Sequence, residues 1–166
     1  MLEAKHKAVV EEARRREAGP VDDMALCFSI LALASAIDRD CAARLKPYHL
    51  SEGKFVLVIL LQAEPEGLSP NVLAQRAGVT RATITGLLDG LERDALVARE
   101  SSLADRRMIT VQLTAAGQRL ATDLGATHTA WIISLMGKLE PDEKAQLGAL
   151  LARVWAQTDA GREAIL

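Results

Sequence analysis

Hydroxyl and guanidinium side chains recur at short intervals in the middle of the chain. They are Ser69, Arg76, Thr80, Arg81, Thr83, Thr85, Arg106 and Arg107. Short hydroxyl side chains both donate and accept hydrogen bonds, and guanidinium groups bind phosphate oxygens through a planar fork of donors. This combination suits contacts to base edges and to the sugar–phosphate backbone. These residues are therefore candidate contacts to double-stranded DNA.

Two short helices joined by a tight turn are predicted to carry most of these side chains. Ser69 followed by Pro70 marks a helix start, because the Ser oxygen can accept from a free backbone N–H and Pro is tolerated at the first helical position. Gly78 is expected to end that helix, and Thr80 is expected to cap the next one. The sequence thus predicts a helix-turn-helix.

The second helix of this pair has one apolar and one polar face. Its apolar residues recur at i, i+3, i+4 and i+7 and are Ile84, Leu87, Leu88 and Leu91. The opposite face holds small or hydrogen-bonding residues, namely Arg81, Ala82, Thr83, Thr85 and Gly86. A recognition helix in the major groove contacts bases mainly through its N-terminal residues. The polar face is therefore expected to read DNA.

A hairpin follows the second helix. Ile109, Val111 and Leu113 alternate with polar residues, which indicates a half-buried strand. The preceding polar tip, residues 100–107, ends in Arg106 and Arg107. Such a hairpin forms a wing whose arginines suit phosphates or a narrow minor groove.

These residues resemble the multiple antibiotic resistance regulator (MarR) family. The resemblance rests on Thr83-Ile84-Thr85-Gly86-Leu87-Leu88, on Asp105-Arg106-Arg107 and on Leu113-Thr114. It implies a homodimeric regulator, expected to be a repressor, which binds a pseudo-palindromic operator and is released by a small molecule or by oxidation. It also implies that Thr80, Arg81, Thr83 and Thr85 lie over the bases, that Arg106 and Arg107 belong to the wing, and that one of these two pairs with Asp105.

The expected fold is mainly α, a winged helix-turn-helix with a helical dimerisation region from both termini. We expect an N-terminal extension helix in residues 1–19, dimerisation segments in 20–50 and 115–166, and the DNA-binding domain in 51–114. The apolar run from Phe55 to Leu61 fits a strand or a helix, and Ser51 before it favours a helix.

Apolar stripes near both ends of the chain favour a homodimer. One stripe comprises Leu26, Ile30, Leu33, Ile37, Cys41 and Leu45, and another comprises Leu147, Leu150, Leu151, Val154 and Trp155. A DNA-binding region of about 50 residues offers too little surface to cover both stripes, so burial between two subunits is expected. A two-fold dimer would place its recognition helices about 34 Å apart.

The composition restricts the other classes to which this protein could belong. The chain has 166 residues, 49% of them hydrophobic and 3% aromatic, with a net charge of −2. Acidity argues against DNA binding, but residues 69–107 hold six basic and five acidic side chains. No run is long enough to span a membrane and the N-terminus is charged, so a cytoplasmic protein without membrane contact is expected.

The effector is expected to be a small aromatic or phenolic molecule. The resemblance places this effector between the dimerisation helices and the DNA-binding domain, which makes Tyr48, His49 and Phe55 candidate contacts. Urate-responsive relatives carry a tryptophan on an added N-terminal helix and an aspartate at the position of Val56. Residues 1–20 contain no tryptophan, which argues against urate.

Two alternative functions were weighed. Cys27 could sense peroxide, with Cys41 as a second thiol, but the tyrosines of peroxide-sensing relatives are replaced by Leu31 and Cys41. The two cysteines lie about 21 Å apart along one predicted helix and cannot bond within it. The second alternative is a winged helix that binds protein and has no operator of its own.

Enzymatic and metal sites are not expected. The sequence has no Gly-rich phosphate loop and no Gly-flanked nucleophilic serine. The histidines show no metal-ligand spacing with either cysteine. We therefore expect no catalytic residues, no metal and no cofactor.

Overall fold

The computed structural model describes residues 2–17, 19–101 and 109–163, which form mainly helices and one antiparallel hairpin, as predicted. The chain divides into two compact units, Met1–Ala121 and Thr122–Leu166. The helices are α1 (Ala4–Arg15), α2 (Val21–Leu45), α3 (Glu52–Gln62), α4 (Pro70–Ala77), α5 (Arg81–Arg93), α6 (Ala115–Leu135), α7 (Pro141–Trp155) and α8 (Asp159–Glu163). The strands are β1 (Val97–Ser101) and β2 (Ile109–Leu113). None of the helices in the described ranges is both long and apolar enough to cross a membrane.

The helix starts follow the capping residues that the sequence predicts. The hydroxyl of Ser51 accepts a hydrogen bond from the Lys54 amide at the start of α3, so the Phe55–Leu61 run is helical. Ser69 accepts from the amide of Val72 at the start of α4. These bonds satisfy amides that have no partner within the helix, which fixes where each helix begins.

The core of the first unit lies where α3, α4, α5 and the hairpin meet. Its most deeply buried side chains are Leu45, Leu57, Val58, Leu61, Leu73, Ile84, Leu88, Leu91 and Val111. Full burial of one such side chain contributes about 1.5–3 kcal/mol relative to exposure. The predicted apolar face of α5 therefore anchors this helix and leaves its other face at the surface.

The hairpin is fixed to the segment that leads into α4. Val97 pairs with Leu113 and Arg99 with Val111 in the antiparallel register. On its other side, Val111 exchanges two backbone hydrogen bonds with Leu68, of 2.8 and 3.0 Å. The strand β2 therefore lies between β1 and the start of the helix-turn-helix, which couples the wing to α4.

The start of α6 is bound to the chain that leaves α5. The Thr114 hydroxyl donates to the carbonyl of Ala95 at 2.8 Å and accepts from the amide of Gly117 at 3.1 Å, so Thr114 caps α6. A Cβ at Gly117 would collide with the Leu96 carbonyl oxygen. A glycine is therefore needed for this close approach.

The N-terminal helix α1 packs along α2. The His6 ring stacks on Phe28 with ring centroids 4.5 Å apart, and Val10 is buried. The charged surface of α1 has Glu12 bound to both Arg15 and Arg16 at 2.7 Å. A helix is thus present within residues 1–19, where the sequence predicts one.

The predicted apolar stripe of α2 is buried mainly at its C-terminal end. Cys41 and Leu45 are buried, whereas Leu26 and Leu33 are exposed. The first half of α2 therefore presents apolar side chains at the surface of the single chain.

In the second unit, α7 is exposed along its whole length. Its start carries a capping box, in which the Glu143 carboxylate accepts from the Glu140 amide at 2.8 Å. The predicted apolar face remains uncovered in the single chain, with Trp155 56% exposed and Val154 51% exposed.

An ion pair joins α3 to the end of α5. Lys54 Nζ lies 2.7 Å from Asp94 Oδ2, and the Lys54 side chain is mostly buried. Its stem crosses α5 at Gly90, where an added Cβ would lie 2.6 Å from the Lys54 Cε. The hydrogen bond from Lys54 lowers the pKa of the Asp94 carboxyl below its usual value. The pair therefore fixes the C-terminal end of α5.

We expect Asp94→Asn to lower stability in a pH-dependent way. Because the folded-state pKa of Asp94 is lowered, its contribution is complete above the unfolded pKa of about 4 and disappears as the pH falls through the folded value. Urea unfolding at a fixed protein concentration should show a difference between wild type and variant at pH 7 that shrinks below about pH 4. Glu11→Gln, an exposed change on α1, serves as the control. A pH-independent difference would contradict the role of this ion pair.

Candidate nucleic-acid interface

The turn between α4 and α5 is built from local hydrogen bonds. Gly78 adopts a left-handed conformation with φ 66°, which ends α4. The Thr80 hydroxyl accepts from the amide of Thr83 at 3.2 Å and lies 2.9 Å from the Thr83 hydroxyl. The caps predicted for Ser69, Gly78 and Thr80 are thus all present, and Thr80 and Thr83 are oriented by the start of α5.

The outer face of α5 is exposed and mostly small. Arg81, Ala82, Thr83, Thr85 and Gly86 are all exposed, and a Cβ at Gly86 would meet no other atom within 4 Å. The Thr85 hydroxyl donates to the Arg81 carbonyl at 3.0 Å, so its lone pairs remain able to accept. This face offers one guanidinium, hydroxyl acceptors and room for close approach. Among the residues that the structure describes, the Arg81 guanidinium has no ion-pair partner.

Two of the other predicted contacts are engaged within the chain. Arg76 Nη1 lies 2.8 Å from Glu64 Oε1, so part of its charge is compensated. The Ser69 hydroxyl accepts from Val72 at the start of α4. Sequence reasoning missed the Arg76 partner, because Glu64 lies before α4 in a segment without a periodic pattern.

A further arginine lies beside the outer face of α5. Arg99 on β1 places Nη2 2.5 Å from Asp89 Oδ1 and Nη1 3.3 Å from Glu92 Oε2. Asp89 and Glu92 are three residues apart and therefore neighbours on α5. Spacing along the sequence could not reveal this contact, because it depends on how β1 packs against α5.

The predicted wing arginines cannot be placed. Arg106 and Arg107 lie outside the described residues, as does Asp105. The described part of the hairpin ends at Ser101 and resumes at Ile109, which pair with each other. The strand that follows the wing tip is thus the one that the alternation predicts, whereas Glu100 and Ser101, expected in the polar tip, belong to β1.

The candidate effector residues lie at the turn between α2 and α3. Tyr48 is 45% exposed, His49 is exposed with φ 55°, and Phe55 is buried on α3. Of these residues, His49 lies near Asp94 at the end of α5.

The two cysteines differ in environment. Cys27 is exposed and Cys41 is buried on α2. Burial raises the pKa of the Cys41 thiol, which disfavours the reactive thiolate. Within residues 2–17, 19–101 and 109–163, no group of His, Cys, Asp and Glu side chains is arranged to hold a metal ion.

Comparisons with known proteins agree with this architecture. Residues 55–108 match the MarR family. The chain is similar to the HTH-type transcriptional repressor YetL of Bacillus subtilis, with 34% identity over 155 residues that cover 90% of this chain and 93% of YetL. This family and this relative are transcriptional regulators rather than enzymes.

Solved structures share the fold at low sequence identity. Staphylococcus aureus MepR in its DNA complex superposes with a TM-score of 0.69 and 21% identity, over 80% of this chain and 97% of MepR. Streptococcus pneumoniae FabT in complex with DNA gives a TM-score of 0.67 and 19% identity, over 79% of this chain and 93% of FabT. The winged helix fold and the similarity along the chain lead to one conclusion: this protein is a member of the MarR family of transcriptional regulators.

Proposed function

We propose that this chain is a homodimeric repressor that binds a pseudo-palindromic operator and releases it when a small aromatic or phenolic molecule binds. The N-terminal half of α5 enters the major groove, and the wing with Arg106 and Arg107 follows the adjacent backbone or minor groove. The observation that carries the proposal is the exposed face of α5 opposite a fully buried one.

Local chemistry supports DNA reading by α5. Free amides at the start of a helix favour nearby phosphates, and Arg81 adds a guanidinium suited to guanine or phosphate. Thr83 and Thr85 supply short hydroxyl side chains, and Gly86 allows close approach. YetL is named a repressor, and MepR and FabT were crystallised with DNA, which supports the same role for this chain.

Exposed apolar surface supports a homodimer. The uncovered face of α7 comprises Leu147, Leu150, Leu151, Val154 and Trp155, and the first half of α2 adds Leu26, Leu31 and Leu33. Apolar side chains in such number are normally buried against a partner. A second copy of the chain would cover the segments 20–50 and 115–166 and hold the two DNA-binding domains at a fixed spacing.

The turn between α2 and α3 supports the effector part of the proposal. Tyr48 offers an exposed aromatic ring and His49 an exposed polar ring, whereas Phe55 is buried on α3. Lys54, next to Phe55 on α3, binds Asp94 at the end of α5. A ligand that shifts the start of α3 would therefore act on the recognition helix through this ion pair.

Operator binding should be specific and salt-dependent. Fluorescence anisotropy with a palindrome from the protein's own promoter should give an affinity at least about 1,000-fold above that for random duplex. Affinity for both duplexes should fall as salt rises, because bound phosphates release counterions. Equal affinities with little salt dependence would favour the protein-binding alternative.

The Arg81→Ala variant should lose much of this discrimination, because a base-reading arginine is worth about 1–3 kcal/mol. Arg15→Ala, on the exposed surface of α1, is the matched control and should bind as wild type. From the sequence we also expect Arg106→Ala to weaken binding to all duplexes alike. Unchanged binding by both Arg81→Ala and Arg106→Ala would refute the assigned reading surface.

The Leu151→Lys variant should convert the dimer to a monomer, because a charge would be buried in the interface. Ala149→Lys, on the opposite side of α7, should remain dimeric. Light scattering coupled to gel filtration measures the mass, and circular dichroism checks that helices persist. A dimeric Leu151→Lys protein would exclude the α7 face from the interface.

Aromatic acids and phenols should release the wild-type protein from its operator in a gel-shift titration. Tyr48→Ala and His49→Ala should bind the operator normally in the absence of ligand but require more ligand for release. Glu11→Gln on α1 is the control and should respond as wild type. If the two turn variants respond to an active compound as wild type does, the effector binds elsewhere.

A further inference from the structure

The bridge between Arg99 and α5 has a geometry unlike that of a simple surface ion pair. One guanidinium contacts two carboxylates that lie one turn apart, through Nη2 to Asp89 and Nη1 to Glu92. The Arg99 side chain is 28% exposed, whereas Asp89 is 57% exposed. Arg99 therefore lies beneath the carboxylates and holds them from the side of the hairpin.

Asp89 occupies a position on the exposed face that we assign to DNA. Ala82, Gly86 and Asp89 are separated by four and three residues and therefore follow one line along the helix. A helix is about 10–12 Å across, so a carboxylate on this line lies within about a Debye length of phosphates flanking the groove. An uncompensated Asp89 would repel DNA.

We infer that Arg99 raises DNA affinity by offsetting one of the two negative charges of Asp89 and Glu92, and not by contacting DNA itself. It is a positioning residue whose effect passes through these two carboxylates. The inference rests on the proposed function, because it concerns binding of a polyanion to the outer face of α5.

Exposure and hydrogen-bond geometry favour this role over a direct contact to a phosphate and over a purely structural role. Both terminal nitrogens of Arg99 are directed at carboxylates, which leaves few donors for a phosphate. Exposed ion pairs contribute little to stability, so a purely structural purpose would gain little from Asp89. Compensation of charge next to a polyanion is the effect that this arrangement produces best.

The same contact also binds the wing to the recognition helix. Arg99 pairs with Val111 in the hairpin, and Val111 is bound in turn to Leu68 before α4. The ion pairs of Arg99 with Asp89 and Glu92 add a polar contact at the edge of this packed region. Carboxylates that would oppose binding thus also help to orient the hairpin beside α5.

The test is a double-mutant cycle measured by operator affinity. Arg99→Gln should weaken binding about five-fold or more, a change typical of an unscreened like-charge contact near the interface. One guanidinium offsets only one of the two carboxylates, so Asp89→Asn alone should strengthen binding by the wild-type protein. Asp89→Asn added to Arg99→Gln restores the original net charge of the cluster and should return the affinity to near the wild-type value.

Each other outcome overturns the inference. If Asp89→Asn does not restore the affinity of Arg99→Gln, and the slope of log affinity against log salt falls by about 0.9, Arg99 contacts a phosphate directly. If Arg99→Gln is not rescued and the hairpin amides of residues 97–100 and 109–113 exchange faster in every Arg99→Gln background, its role is structural. If Arg99→Gln binds as wild type, Asp89 does not face DNA.

Failure of the inference and failure of the proposed function are distinguished by the wild-type protein. Wild type that binds the operator specifically, combined with an Arg99→Gln defect that Asp89→Asn does not rescue, refutes only the inference. Wild type that shows no salt-dependent binding to any duplex refutes the proposed function, and the inference fails with it. Arg15→Gln on α1, which removes an exposed arginine paired with Glu12, is the matched control for loss of one positive charge and should leave every affinity unchanged.

Discussion

The helix α5 must bury one face completely while it leaves the other face bare, and the first unit is organised around this requirement. Ile84, Leu88 and Leu91 are each no more than 2% exposed. At about 1.5–3 kcal/mol for each buried side chain, these contacts hold the helix against α3, α4 and the hairpin. The polar face then needs no support from its own side chains, so those residues are available to a partner.

Basic side chains from neighbouring elements offset part of the negative charge on α5 and at its C-terminal end. Lys54 on α3 binds Asp94, and Arg99 on β1 binds Asp89 and Glu92. Arg81, at the start of the helix, has no ion-pair partner in the described part of the chain. A net charge of −2 is therefore compatible with a local positive potential where α5 begins.

The local features of this fold could be predicted from sequence because they depend on residues three or four positions apart. The caps at Ser51, Ser69 and Thr80 and the stop at Gly78 are of this kind. The ion pair from Lys54 to Asp94 spans 40 residues and could not be foreseen, because it requires the packing of α3 on α5. The partner of Arg76 was missed for a similar reason, since Glu64 is positioned by a loop. Spacing predicted the apolar face of α7, but only the structure shows that this face is uncovered in the single chain.

The passage of Lys54 over Gly90 links two positions that are far apart in the sequence. Alanine at position 90 would strengthen the helix by its intrinsic preference, yet its methyl group would occupy the path of the lysine stem. A side chain at position 90 would therefore make the flexible end of Lys54 move aside, away from the position in which it binds Asp94. The absence of a side chain on one helix thus gives a lysine on another helix the path to its partner.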